Sequence, residues 1–403
     1  RKEFAEQHPN EVAVFLQEYE ASVNYLLSNV SEASEIIAAQ GIFAKAPVAK
    51  KAIPNCNITY LDGAEMKAAM SEFLNVMMTA APASIGGAIP ADDFYYEVSE
   101  ELPSVEVNGD LAINVSVLSG TTGFGMAQMM QSTADGGSAL NCQFTVEGKP
   151  DAITGGLIKG TVDIAALPTN AASTVYNKTQ GAVQVLALNT RGVLYVVADS
   201  SETITSLADL EGKTVYAPAQ NPTFIFNAVC KAAGVNVTVD NTYAQPADLR
   251  TAVVSGEVKL AVLPEPMVTI AKANNQNLSV VLDLTAEWDK VYPAGSLVQG
   301  CVVVRRAFAE EHPAEIAKFL EEYEASINYL SEDTAAAAQM IVDAGIFAQA
   351  PVAQKAIPNC NLCFIAGADM QPALGAFLDT MFQVAAPSVG GAVPADDFYY
   401  VGQ

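Results

Sequence analysis

The sequence predicts an α/β protein of two lobes joined by two hinge crossings, preceded by a duplicated helical segment. Three observations lead there. Strand-length apolar runs alternate with helix-like stretches from Ala112 onward. The alternation stops near Asn189 and restarts. Residues Arg1 to Tyr96 return, without a gap, as Arg305 to Tyr400, with roughly half or more of the aligned pairs identical.

The repeat is legible by eye. RKEFAEQHPNEVAVFLQEYEASVNYL returns as RRAFAEEHPAEIAKFLEEYEASINYL, GIFAKAPVAKKAIPNCN as GIFAQAPVAQKAIPNCN, and GGAIPADDFYY as GGAVPADDFYY. The intervening segment has no counterpart, so this is not a solenoid of short units. The expected layout is a duplicated C-terminal segment of a second, incomplete domain over 1–97 and a polar linker over 98–110. A complete domain follows over 111–403. Lobe 1 should take about 111–192 plus 300–403, and lobe 2 about 193–299. Arg1 falls inside the repeat, so the natural N-terminus is expected further upstream.

Composition bounds the function. Half the residues are hydrophobic and 16% charged, enough for a large core. Forty-five acids against 20 bases give a net charge of −25, which argues against nucleic acid as a partner and reads as a solvated acidic surface. No run of about 18 apolar residues could span a membrane. Of six cysteines only Cys360-Asn-Leu-Cys363 has metal-like spacing; the first copy carries Thr59 at the second position, and no further pair completes a zinc site. The cysteines read as small buried hydrophobes, and no cofactor is implied.

The elements follow in order. AINVSVL (112–118) is a buried strand ending in Ser119-Gly120-Thr121-Thr122-Gly123, and FGMAQMMQS is helical. NCQFTV leads to Glu147-Gly148-Lys149-Pro150 and a helix near DAITGGLIKG, then VDIAALP leads to Thr169-Asn170 and another helix. VQVLALN closes the first set, which the βαβα rhythm makes a parallel sheet. VLYVVAD opens the second, followed by SLADLEGKTVYAPAQNPTF, VTVDNTY, a helix around 248–255, VKLAVLPEP and SVVLDLT. SLVQGCVVV is the last strand, and the crossings fall near Asn189–Val197 and Ser296–Val304. The tail is mostly helical. Ile316, Phe319, Leu320, Tyr323, Ile327 and Leu330 form one apolar stripe, kept in the first copy by Val12, Phe15, Leu16, Tyr19, Val23 and Leu26. Both stripes should be buried.

The ordered series SGTTG, GTVDIAALPTN, LEGKTVYA, ADLRTAVVSGEVKLAVLPEP, LTAEWDKV and GCVVVRRAFAEEHP resembles solute-binding proteins of ABC importers. More narrowly it resembles the nitrate, sulfonate and thiamine-pyrimidine branch, in its clostridial, Gram-positive form. The resemblance covers about Leu111 to Tyr400. It implies a type II periplasmic-binding-protein fold, solute held between the lobes, hinge closure, and delivery to an ABC permease. It also implies an extracytoplasmic protein, lipid-anchored through a cysteine outside this chain.

Open α/β sheets bind ligands at the carboxyl ends of their strands. Ser119, Thr121 and Thr122 sit there, where a helix N-terminus would favour an anion or polar oxygen. GTTGFG is neither a dinucleotide fingerprint nor a P-loop. Asn170, after Thr169, and the pair Gln220-Asn221 supply hydroxyl and amide groups from the two lobes, or plain helix caps. Glu265 follows a fully apolar strand, as a cleft carboxylate or as an exposed loop acid. Glu147 and Lys149 are weaker candidates, and Trp288, the one tryptophan, either faces the cleft or covers lobe 2. The two histidines, His8 and His312, precede helix-starting prolines and read as cap or solvated residues, so no catalytic set can be assembled. The expected function is a receptor for a small polar or heterocyclic solute. Two alternatives are a pyrimidine-synthase-like enzyme of the same fold and a non-binding interaction protein assembled through the duplicated segment. Residues 1–97 are expected to pack on a lobe, within the chain or as a swapped homo-oligomer.

Overall fold

A computed structural model describes residues 1–7, 9–96 and 107–402. It divides into two compact units, Arg1–Glu106 and Val107–Gln403.

The second unit holds eleven strands in chain order: β1 Ala112–Leu118, β2 Asn141–Glu147, β3 Ile164–Pro168, β4 Val183–Arg191, β5 Leu194–Asp199, β6 Thr214–Tyr216, β7 Thr238–Asp240, β8 Leu260–Pro264, β9 Leu278–Asp283, β10 Val298–Arg305 and β11 Leu362–Ala366. They form two sheets, ordered β11-β4-β10-β3-β1-β2 and β7-β6-β8-β5-β9. The chain changes sheet between β4 and β5 and returns at β10. These are the two crossings the sequence places there.

Neither sheet is purely parallel, contrary to the reading of the βαβα rhythm. β10 runs antiparallel to both β3 and β4, and β11 antiparallel to β4. In lobe 2, β5 is antiparallel to β8 and β9. For β5 and β10 the reason is the crossings themselves: a strand arriving from the other lobe enters its sheet from the opposite end, whereas β11 comes from the lobe 1 tail.

Strand pleating sorts the lobe 1 core onto two faces. Val115, Val117, Ile164, Ala166, Val302 and Val304 turn toward Ile316, Phe319, Tyr323 and Ile327 of the tail helix Pro313–Glu332. Leu118, Ala165, Leu167, Cys301 and Val303 face the other way, into a core continuous with that of lobe 2. That core also takes Phe377 and Leu378 from the tail helix Met370–Ala385, so the tail closes lobe 1 and packs against lobe 2 as well. Trp288 is fully buried there, its ring centroid 5.8 Å from that of Phe377 and its Nε1–H donating to Ser296 Oγ at 2.8 Å. It covers lobe 2 and does not line a cleft.

The unit begins earlier than 111. Val107 packs against the lobe 1 core, and the Asn108 N–H donates to Glu315 Oε1 at 2.9 Å. The first part of the expected linker, 98–106, lies outside the described residues. β11 lies inside a tail read as mostly helical.

The first unit is helical: Lys2–Gln7, Pro9–Ser28, Val30–Ala39, Ala46–Ala52 and Gly63–Ala80, with short turns of 3-10 helix after the last two. Its tail-like details match the second copy closely. Lys2 pairs with Asp93 at 2.9 Å as Arg306 pairs with Asp397 at 2.9 Å. Phe15 stacks on Tyr19 as Phe319 stacks on Tyr323. Burial differs sharply. Phe15, Tyr19, Phe73 and Phe94 are 64%, 50%, 60% and 58% exposed, whereas Phe319, Tyr323, Phe377 and Phe398 are 0% exposed. The expectation that both stripes are buried fails for the first at Phe15 and Tyr19, while Val23 is buried and Val12, Leu16 and Leu26 are half-buried.

Candidate functional site

The site assembles around the crossings. Two glycines permit the close approach of chain there. A Cβ on Gly192 would lie 2.2 Å from Thr285 Oγ1, and one on Gly300 would lie 2.4 Å from Asn189 Oδ1. The crossings are tied together by the Val193 N–H donating to Gln299 Oε1 at 2.8 Å, and to the start of β11 by Asn361 Nδ2 donating to the Gly192 carbonyl.

On the lobe 1 side, the Ser119 N–H donates to the Glu147 carbonyl and the Gly120 N–H to that of Ile346, pinning the loop after β1. The helix that follows is a single turn, Thr121–Phe124. It is too short for the aligned peptide dipoles on which the expected anion preference depended. The Thr122 carbonyl instead accepts from Asn189 Nδ2 at 3.1 Å, and the same amide donates to Tyr323 Oη at 2.9 Å. Asn189 is buried, and its Oδ1 accepts from Thr190 Oγ1. A tail helix, a hinge strand and the β1 loop are thereby joined through one amide. Burial pushes the Tyr323 hydroxyl pKa up, which keeps it a neutral donor–acceptor.

After β3, Thr169 Oγ1 donates to the Val298 carbonyl on the return crossing. Asn170 sits beside it at the start of the helix Thr169–Thr179. In lobe 2, Gln220 precedes the helix Asn221–Ala232 in a left-handed conformation at φ 66° and is solvent-exposed. The two lobes meet where Asn221 Nδ2 donates to Asn170 Oδ1 at 2.7 Å. Among the described residues three buried side-chain oxygens have no hydrogen-bond partner: Asn221 Oδ1, Ser388 Oγ, and Thr285 Oγ1 beside Gly192. The Ser388 carbonyl itself accepts from Asn170 Nδ2 and Thr174 Oγ1.

Glu265 is not an exposed loop acid. It is 4% exposed, with its N–H donating to the Val193 carbonyl and its carboxylate accepting from Thr269 N–H at 3.1 Å and Thr269 Oγ1 at 3.0 Å. It therefore caps the start of the helix Met267–Asn274. Burial raises its pKa above the ordinary carboxylate value, against the lowering effect of the Thr269 bonds.

Thus Asn170 and Asn221 are brought together, Thr122 is held to the hinge strand through Asn189, Thr121 opens the single-turn helix beside it, and Glu265 is held to the first crossing. Ser119, Gln220 and Lys149 face solvent. Asn189, Tyr323, Thr285 and Ser388 were not singled out from the sequence. Asn189 carried a signal, a polar residue closing the apolar run VQVLAL, while Tyr323 was indistinguishable from its apolar stripe. His312 packs its ring on Phe308 and makes no side-chain cap, and His8 lies outside the described residues. Burial pushes the Cys142 and Cys230 thiols up to about 12 and Cys363 to about 11. Among the described residues no cluster of three His, Cys, Asp or Glu is placed to hold a metal, and no helix is long and apolar enough to cross a membrane. Two surface grooves, of about 420 and 260 Å³, lie along the tail: one beside Ile327, Asn361 and Phe364, the other beside Pro313 and Tyr400.

Residues 139–337, which run from β2 into the tail helix, match the sequence model of the NMT1/THI5-like family. The chain carries an NMT1/THI5-like domain. Solved structures similar to it include an ABC transporter protein from Parabacteroides distasonis, 23% identical, covering 73% of this chain and 100% of that one with a TM-score of 0.62. The periplasmic aliphatic sulphonate-binding protein of Escherichia coli is 13% identical, covering 72% and 92% at a TM-score of 0.60. The ligand-binding component of an ABC-type import system from Staphylococcus aureus is 12% identical, covering 72% and 97% at 0.55. No curated protein sequence matches the chain. At these identities the likeness establishes the fold: the NMT1/THI5-like domain lies within a periplasmic-binding-protein fold of two α/β lobes.

Proposed function

We propose that the Val107–Gln403 unit is the extracytoplasmic solute-binding receptor of an ABC importer, holding a small polar or heterocyclic solute between its lobes. The observation that carries this reading is the meeting of Asn170 and Asn221 across the lobes, with the buried Asn221 Oδ1 and Ser388 Oγ left unpaired beside them. A buried polar atom without a partner costs about 1–3 kcal/mol, so a ligand offering N–H or O–H groups gains by completing the set. The similar structures, named as binding components of import systems and as a sulphonate-binding protein, support the receptor role.

The chemistry of the loops favours a neutral or zwitterionic nitrogen heterocycle over a sulphonate. Asn221 Oδ1 accepts from a ligand N–H and the two unpaired hydroxyls can donate or accept, while Glu265 is a buried carboxylate that would repel an anion reaching it. Binding and release are a hinge motion about Asn189–Val193 and Ser296–Gly300, in which the Asn170–Asn221 bond forms on closure. The fold also accommodates the pyrimidine-synthase alternative. The receptor reading fits the burial of Cys142, Cys230 and Cys363, whose thiol pKa values are raised, so these three are poor sources of thiolate.

Mass spectrometry of the solute that copurifies, followed by calorimetric titration, tests the reading. Asn170→Ala and Asn221→Ala should each weaken binding by about five- to 150-fold. At 100 times its dissociation constant the solute should stabilise the second unit by about 2.7 kcal/mol. Unchanged affinity in both variants would remove the site from between the lobes, and iron-dependent turnover of the bound molecule would favour the enzyme.

A further inference from the structure

The first unit presents an apolar surface whose natural partner is visible in the same chain. Phe15, Tyr19, Phe73 and Phe94 are exposed, and the equivalent Phe319, Tyr323, Phe377 and Phe398 are fully buried. Phe319 and Tyr323 are covered by one face of the lobe 1 sheet, through Val115, Val117, Ile164, Ala166, Val302 and Val304. Residues 58–62 are in no strand, whereas their equivalents Leu362–Ala366 form β11 by pairing with β4. The first copy thus retains the tail's helices, its aromatic stacking and its Lys2–Asp93 pair, and shows neither the burial nor the edge strand that a sheet confers.

A second copy of this chain is a poor candidate for the missing sheet. Each chain carries two tails and one lobe 1 sheet, and that sheet is already covered by residues 305–400. A swap between copies of this chain exchanges one tail for another and always leaves one uncovered. In the second unit the tail follows its sheet directly, β10 running into Arg305, whose guanidinium donates to Asp163 Oδ1 at 2.6 Å on the sheet it has just left.

We propose that the apolar surfaces of Arg1–Tyr96, one through Phe15 and Tyr19 and the other through Phe73 and Phe94, are the docking surface for a sheet of the kind built by residues 107–304 that lacks a tail of its own, as Phe319 with Tyr323 and Phe377 with Phe398 lie in the two cores on either face of the lobe 1 sheet. The 1–96 helices then close a second domain of the same fold around that sheet. This holds whichever solute is bound, so its failure is separate from failure of the receptor reading.

The test joins an additional copy of residues 107–304 directly ahead of Arg1 of the full chain. Amide exchange in Pro9–Ser28 and Gly63–Ala80 should slow by at least about 100-fold, to the protection of their second-copy equivalents. Phe15→Asp with Phe73→Asp in that fusion should restore fast exchange in these helices and leave Pro313–Glu332 protected. Unchanged exchange in the soluble fusion overturns the proposal. The unmodified chain supplies a second measurement, decisive even if the fusion precipitates. It should bind an apolar fluorescent dye, and the same two substitutions should remove most of that signal without unfolding the first unit. Absence of dye binding, slow exchange of the first unit within a homodimer, or unfolding by the two substitutions would show the face already covered and overturn the proposal.

Discussion

Residues 1–96 and 305–400 are nearly the same sequence in two surroundings, and the difference between them separates what a segment specifies from what its neighbours impose. Helix existence and local pairing belong to the segment. Both copies form a twenty-residue helix after the first proline, both stack Phe on Tyr four residues on, and both keep a basic residue against the same aspartate. Burial and strand formation belong to the neighbours. Leu362–Ala366 pairs with β4 in the second copy, and no strand forms at 58–62 in the first. Extended backbone leaves its N–H and C=O groups to be satisfied by another strand, so it cannot be specified locally as a helix can.

Equivalent substitutions in the two copies sharpen this contrast. The largest effect is expected from Phe377→Ala, which should cost the second unit about 3–5 kcal/mol in denaturant unfolding. Phe73→Ala, at the matching exposed position, should change the first unit by no more than about 0.5 kcal/mol. Comparable losses at both would mean that the first copy has a covering partner.

Tyr323→Phe removes the hydroxyl that meets Asn189, and should cost about 1 kcal/mol while loosening the Thr122 loop and weakening solute binding. Tyr19→Phe should have no measurable effect. Equal behaviour of the two variants would detach the tail helix from the site.

Glu265 has no equivalent in the repeat and isolates burial from pairing. Its folded pKa is raised, so its contribution to stability is fully present below the unfolded carboxylate value and is lost as pH rises through the folded value. Glu265→Gln should therefore raise the melting temperature of the second unit at pH 7, with the gain shrinking toward pH 4. A gain independent of pH would remove ionisation as its cause. The smallest effect is expected at the basic pair. Arg306→Met loses bonds to the Gly181 and Asp397 carbonyls and should lower stability detectably, whereas Lys2→Met should not.

Much of the fold was legible. Ala112–Leu118 was bounded correctly because a β-branched run between polar turns has few other interpretations. The crossings were legible because the strand rhythm broke there. β11 was not, since its strand state comes from β4, distant in sequence. In the site, Asn170, Asn221 and Glu265 could be placed at strand ends by counting. That Asn170 meets Asn221, and that Glu265 is buried against Val193 and Thr269, depends on how two lobes close. No local pattern encodes that. Asn189 and Tyr323 show the same limit from the other side, since a polar atom used at a hinge looks in sequence like the end of a core strand or stripe.

The equivalent cysteines Cys56 and Cys360 report the difference in surroundings most directly, because the first is exposed and the second buried. The native chain is labelled with a thiol reagent and the rate at each residue is followed by peptide mass spectrometry. Environment, and not sequence, sets the difference between the copies if Cys56 reacts at least about 100-fold faster and Cys360 reacts only when the second unit unfolds. Equal rates at the two positions would contradict it.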